Sequence, residues 1–221
     1  WFGRFGLTNC SWVDMGDGVL LVDAGGTAVD AGNLAAQIKE TTGGKPIKWI
    51  VLTHLHGDSN TGLTALMPTE ATLFVNAKVA GSLPKALKGA SGSKAVNVIG
   101  VSDRLVLTNG ERSVTLAVPR GAAHTDHDLF AVTNAGVAFV GDLVTPARCP
   151  MTSDPNCDPK GWLDALVNLE SLHPAVLLPT RGNGATTPEV EIGRTRDYLN
   201  RLLSLLGEYK RKGFEEARVT S

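Results

Sequence analysis

The stretch VLTHLHGDSN, residues 51–60, closes an apolar run and then sets His54, His56 and Asp58 at alternating positions. Side-chain direction repeats every two residues along an extended chain, so both imidazoles leave the strand end on one side. Asp58 continues that alternation into the loop. Three metal-capable groups therefore converge at a strand terminus, where loops commonly build sites. Neutral imidazole nitrogen and carboxylate oxygen are ordinary zinc donors, and a three-ligand set leaves one position for water. The competing reading is a pair of loop histidines with no partner.

Outward from this stretch, turn and periodicity signals alternate. Towards the N-terminus, NCSWVDMG (9–16) leads through Asp17-Gly18, a hairpin dipeptide, into VLLVDAGG (19–26). DAGNLAAQIKETTGG (30–44) repeats its apolar residues at helical spacing and stops at Gly43-Gly44. PIKWIVLTH (46–54) is a short apolar strand. Beyond the site, NTGLTALMP (60–68) predicts a short helix, ATLFVNA (71–77) a strand, and KVAGSLPKALKGASGS (78–93) a helix with a loose loop. DRLVLTNGERSVTLAVP (103–119) is a hairpin turning at Asn109-Gly110, and DLFAVTNAGVAFVGDLV (128–144) is two strands about another turn. GWLDALVNLESL (161–172) is an amphipathic helix, AVLLPT (175–180) a buried strand, and residues 190–213 a long closing helix. Hairpins mixed with crossover helices predict sheets covered by helices.

Composition agrees with one globular domain over residues 1–221. Of the residues, 43% are hydrophobic, and 21 Lys+Arg nearly balance 22 Asp+Glu. The one basic run, YKRKGFEEAR (209–218), reads as a solvated helix end, so no nucleic-acid partner is expected. No apolar stretch approaches the ~20 residues that span a bilayer, so no membrane partner is expected either. The chain starts on Trp1 without Met, which favours a processed, periplasmic or secreted protein over a cytoplasmic one. Cys149 and Cys157 flank a Pro/Asp/Asn-rich loop that could close a small disulfide; the other reading leaves all three cysteines as free thiols.

Four of the five histidines fall in two groups, His54 with His56 and His124 with His127. THLHGDSNTG resembles the histidine-rich motif of the metallo-β-lactamase superfamily, H-x-H-x-D-H. Further segments resemble the family in the right order: VLLVDAGG, then GAAHTDHDL (121–129) for the third histidine, AFVGDLV (138–144) for a metal-bridging Asp, and LLPTRGNG (177–184) for the late P-G-H-G. The resemblance covers roughly residues 10–190. It implies an α+β fold, a four-layer αββα sandwich with the site at one edge. It also implies a first metal site of His54, His56 and His124, a second served by Asp58 and Asp142, and Asp23 as a structural residue beside them.

Two residues depart from the family pattern. Ser59 stands where the motif has a histidine, and Arg181 where P-G-H-G has one. Both nitrogen donors of the second site are therefore replaced, leaving neighbouring carboxylates that repel one another. Arg181 offers them a planar, permanently charged fork, standing in electrostatically for a second metal. One Zn²⁺ at the three-histidine site is the expected cofactor, with a second ion in question. His127 reads as an exposed loop residue and His173 as a loop or capping residue.

Zinc on three histidines lowers the pKa of bound water towards ~7 and so supplies hydroxide at neutral pH. The implied reaction is attack of that hydroxide on an ester, thioester, lactone or β-lactam carbonyl of a small molecule. Asp58 would orient the nucleophile and hand a proton to the leaving group. Arg181 would bind a substrate carboxylate or the departing anion, a role that competes with its salt bridge. The loop TPARCPMTSDPNCDPKGW (145–162) borders the substrate pocket in related folds, so Trp162 and the Cys149–Cys157 segment are candidate specificity elements. The alternative is an impaired or non-catalytic metal- or ligand-binding member of the same fold.

Overall fold

The structure is a computed structural model that describes residues 1–66, 71–83 and 97–213. The first sheet runs in chain order: β1 (Phe2–Phe5), β2 (Thr8–Asp14), β3 (Val19–Val22), β4 (Ile47–Val51), β5 (Thr72–Asn76) and β6 (Asn97–Val101). Its first three strands pair antiparallel and β3 to β6 pair parallel. The second sheet has the order β11-β10-β9-β8-β7. Its strands are β7 (Arg104–Asn109), β8 (Arg112–Ala117), β9 (Phe130–Thr133), β10 (Val137–Gly141) and β11 (Val176–Pro179). Only β10 and β11 pair parallel in it.

Strand alternation divides the core into three. On β3, Val19 and Leu21 pack outward with Leu34 and Ile38 of α1 (Ala28–Thr42) and Leu63 of α3 (Leu63–Leu66). Leu20 and Val22 point the other way, joining Val51 and Phe74 against Val114, Leu116, Ala131 and Phe139 of the second sheet. The outer face of that sheet, with Phe130, Val132 and Val140, is covered by Trp162, Leu166 and Leu169 of α5 (Pro159–Glu170) and by Ile192 and Leu199 of α6 (Pro188–Arg211). Helices, sheet, sheet and helices make four layers, because β3 and β10, apolar on both faces, must be covered on both.

The helix ends are set by local chemistry. The Thr27 hydroxyl accepts from the Asp30 amide at 3.1 Å, and α1 stops at Gly43, whose φ of 68° suits glycine. Asp158 caps α5 by accepting from the Lys160 amide, ahead of Pro159. Two strands have no counterpart among the sequence-based expectations, β1 and β6. β6 carries Gly100, where a Cβ would lie 2.9 Å from the Ala77 Cα of α4 (Ala77–Ala80). Close helix packing thus requires the residue that weakens the strand signal. Much of the helix and loop expected over 78–93 lies outside the described residues, as do the end of NTGLTALMP and the last part of the basic run.

Candidate metal centre

The site forms where β3, β4, β10 and β11 end together. Asp23, just past β3, adopts a left-handed φ of 60°. Its carboxylate accepts from the Thr53 amide (2.9 Å), the Thr53 hydroxyl (2.8 Å) and the Thr180 hydroxyl (3.0 Å). Burial pushes its carboxyl up to about 7, with the Thr53 and Thr180 donors opposing. One side chain thus fastens the ends of strands from both sheets. Gly141, at φ 57°, lets β10 approach Thr53, since a Cβ there would lie 2.8 Å from the Thr53 Cβ. That approach delivers Asp142. The short α2 (Gly57–Asn60) follows the motif, and its Asn60 amide donates to the His54 carbonyl at 2.6 Å, fixing the turn that carries the histidines.

The outward nitrogen of each ring faces an acceptor, and this fixes which nitrogen points inward. The Thr53 hydroxyl donates to Asp23, so at 2.9 Å it accepts from His54 Nδ1. His124 Nδ1 donates to the Met151 carbonyl at 2.9 Å, and His56 Nε2 to the Asp154 carboxylate at 2.9 Å. The nitrogens facing inward are then His54 Nε2, His56 Nδ1 and His124 Nε2, the last two 3.1 Å apart, which is the arrangement that metal binding requires. The three rings are mutually near-perpendicular, with centroids 4.9 to 5.0 Å apart.

Asp142 joins them. Its Oδ2 lies 3.6 Å from His54 Nε2 and 3.4 Å from His124 Nε2. Ligand atoms of His54, His56, His124 and Asp142 all lie within 4.8 Å of one another. His54 Nε2 and Asp142 Oδ1 are buried with no hydrogen-bond partner among the described residues. Buried polar groups are rarely left so, and an ion is one of the usual reasons when they are. Burial, followed by the neighbouring imidazoles and Arg181, holds His54 well below the ordinary histidine range. Burial also holds His124 down at about 4, against the opposing hydrogen bond to Met151. Both rings are neutral at physiological pH, the ligating form, so the donor set fits a borderline divalent ion such as zinc.

The other half of the site is built from charge. Arg181, itself buried, donates from Nη1 to Asp142 Oδ2 at 2.5 Å and from Nη2 to Asp58 Oδ2. Its Nη1 also lies 3.4 Å from the Met151 sulfur. Burial pushes the Asp142 carboxyl up to about 6, opposed by Arg181 and reinforced by Asp58. Ser59 is fully buried, and its hydroxyl has no hydrogen-bond partner among the described residues. Of the five residues expected as ligands, four come together; the Asp58 carboxylate instead engages Arg181.

Several sequence-based readings are corrected here. His127 is not an exposed loop residue: it accepts from the Leu55 amide at 3.3 Å and bonds Asp126 at 2.8 Å, bracing the peptide between the two motif histidines. Trp162 does not border a pocket; it is wholly buried, its indole donates to the Leu143 carbonyl, and its ring packs 5.5 Å from that of His124. Cys149 and Cys157 are free thiols, so of the two readings of that loop the unpaired one holds. Asp154 and the Met151 carbonyl had no place among the expected site residues. The Asp-Pro-Asn run marks a turn, and the Asn156 amide does bond Asp154 at 2.8 Å, but turn chemistry does not say which ring the second carboxylate oxygen reaches.

A four-layer αββα sandwich with a histidine and carboxylate cage at the shared strand ends defines a class of metal-binding folds. The chain belongs to the metallo-beta-lactamase superfamily, whose family model matches residues 3–181. Membership supports a hydrolase at the coarse level. Solved structures share the fold. A metallo-beta-lactamase from Pontibacter korlensis is 20% identical, with a TM-score of 0.72 over 87% of each chain. The DIM-1 metallo-beta-lactamase is 17% identical, with a TM-score of 0.70 over 88% of this chain and 87% of that one. The FIM-1 enzyme from Pseudomonas aeruginosa, solved in a mono-zinc form, is 21% identical, with a TM-score of 0.69 over 88% and 84%. No curated protein sequence matches the chain.

Proposed function

We propose that the protein is a mononuclear zinc hydrolase acting on an ester, thioester, lactone or β-lactam carbonyl of a small molecule. The observation that carries this reading is the pairing of three inward-facing imidazole nitrogens with a second half whose two carboxylates share the charge of Arg181. Formally, three carboxylates (Asp58, Asp142 and Asp154) less one guanidinium leave two negative charges beside the imidazoles, matched by a single dication. Zinc held by His54, His56 and His124 would supply Lewis acidity and an activated water. Asp142 sits against two of these ligands and helps to hold the ion. Asp58 is the more exposed of the paired acids and is the group to orient the attacking water and to carry its proton to the leaving group. Of the two roles considered for Arg181, its bonds to both carboxylates support the salt bridge over the substrate clamp.

Zinc content per chain and turnover of an aryl ester, a thioester, a lactone and a cephalosporin test this together. One zinc per chain, with turnover lost on stripping, regained with zinc and abolished in His56→Ala, is expected. Two tightly held ions would sink the mononuclear reading. One ion with no turnover of any substrate would favour a ligand-binding protein, the reading suggested by an arginine where related chains carry a second-site histidine.

A further inference from the structure

The three candidate ligands are not held equally. The side chains of His54 and His124 are each 1% exposed and locked among packed neighbours, whereas that of His56 is 31% exposed. His56 also lies past the end of β4, at the N-terminal edge of α2, where no strand neighbour fixes its ring. Among the described residues, the hydrogen bond that its imidazole makes outside the cage is to Asp154. We propose that Asp154 is the positioning residue of this centre, fixing the tautomer and rotation of His56 and raising the basicity of its ligating nitrogen. This rests on the reading above that the cage holds zinc.

Asp154 is itself pre-set. Its Oδ1 accepts from the Asn156 amide at 2.8 Å, and its carbonyl accepts from the Cys157 amide at 3.0 Å, closing a tight turn that aims Oδ2 at the imidazole. The end of the same loop is pinned beside His124, since the Asp158 amide donates to the Ala123 carbonyl at 3.0 Å. Three residues before Asp154, the Met151 carbonyl holds His124 Nδ1. One loop, 145–158, thus supplies the outer partners of two ligands that come from different sheets. A carboxylate behind a ligating imidazole favours the charge that the ring donates to a metal, and losing such a partner commonly costs 10–100-fold in metal affinity. Asp154 bonds the His56 nitrogen that faces away from the cage, so it acts through His56.

Chelator competition with the full chain, using zinc and then Co²⁺, separates these roles. Asp154→Ala is expected to lose about 10–100-fold in zinc affinity and to change the visible Co²⁺ spectrum. The melting temperature of its metal-free form should stay at the wild-type value. Asp154→Asn, which keeps an acceptor oxygen but no charge, should fall between the two. A zinc affinity within twofold of wild type in Asp154→Ala would overturn the positioning role and leave the metal site standing. So would wild-type affinity in Asp154→Asn with a lowered metal-free melting temperature in Asp154→Ala, since the residue would then serve the turn alone. A wild-type chain that takes up no zinc would instead sink the functional reading and this role with it.

Discussion

Three imidazoles and a charged triad lie side by side at the strand ends, and they relate to their surroundings in opposite ways. His54, His56 and His124 each spend their outer nitrogen on a neighbour, and the inner nitrogens of His54 and His124 lie beside the Asp142 carboxylate. Asp58, Asp142 and Arg181 spend their charges on one another. The first half turns its nitrogens inward on one another and on Asp142; the second meets its carboxylates with a guanidinium. A buried ion pair tolerates the loss of both partners far better than the loss of one. The half that looks like a remnant is therefore the half least free to change one residue at a time.

Removing a ligand from the first half should have the largest effect. His124→Ala is expected to lose on the order of 100-fold or more in zinc affinity, since even outer partners cost 10–100-fold. Chelator competition measures it, and a loss under tenfold would put the ion elsewhere. Arg181→Met leaves Asp142 buried beside Asp58 with no counter-charge. Metal-free stability in urea should drop by about 3 kcal/mol, and an unchanged midpoint would mean the triad is not coupled. Turning the second half into the first is the sharper test. Ser59→His combined with Arg181→His restores two nitrogen donors and should raise the bound zinc from one ion per chain to two.

The smallest effect concerns Asp128, a buried acid outside both halves that accepts from the Thr125 amide and hydroxyl, each at 2.8 Å. Burial pushes its carboxyl up to about 7 against those donors. A carboxyl raised on folding contributes stability in full below its unfolded pKa near 3.8, and that contribution is lost as pH rises through about 7. Metal-free Asp128→Asn should therefore lose less stability than wild type between pH 6 and pH 8. Parallel urea midpoints at the two pH values would refute it.

What the sequence disclosed, and what it hid, follows from the range of each interaction. Strands such as Val19–Val22 and the hairpin at Asn109-Gly110 rest on local patterns and are readable at once. The His-x-His-x-Asp stretch is readable as chemistry from its spacing at a strand end, and the later His124 and Asp142 from the order of segments that resemble the family. The bridge from Arg181 to Asp58 spans 123 residues, and only the two departures from the family pattern, taken together, pointed to it. Asp154 reaches His56 across 98 residues from an unremarkable turn, and nothing local marks that acid above Asp158, which caps a helix. Trp162 misled for a similar reason: an indole in a loop-to-helix junction suggests a pocket wall, whereas its N–H finds the Leu143 carbonyl in the core.

The threefold grip of Asp23 on Thr53 and Thr180 has one further consequence, for how the molecule comes apart. Its acceptor oxygens join chain segments that belong to opposite sheets, directly behind the histidines. Any denaturant or temperature that separates the sheets must break this junction, and with it the turn that carries His54. Metal release and loss of the inter-sheet core should then trace a single cooperative transition, in which the site has no melting point of its own.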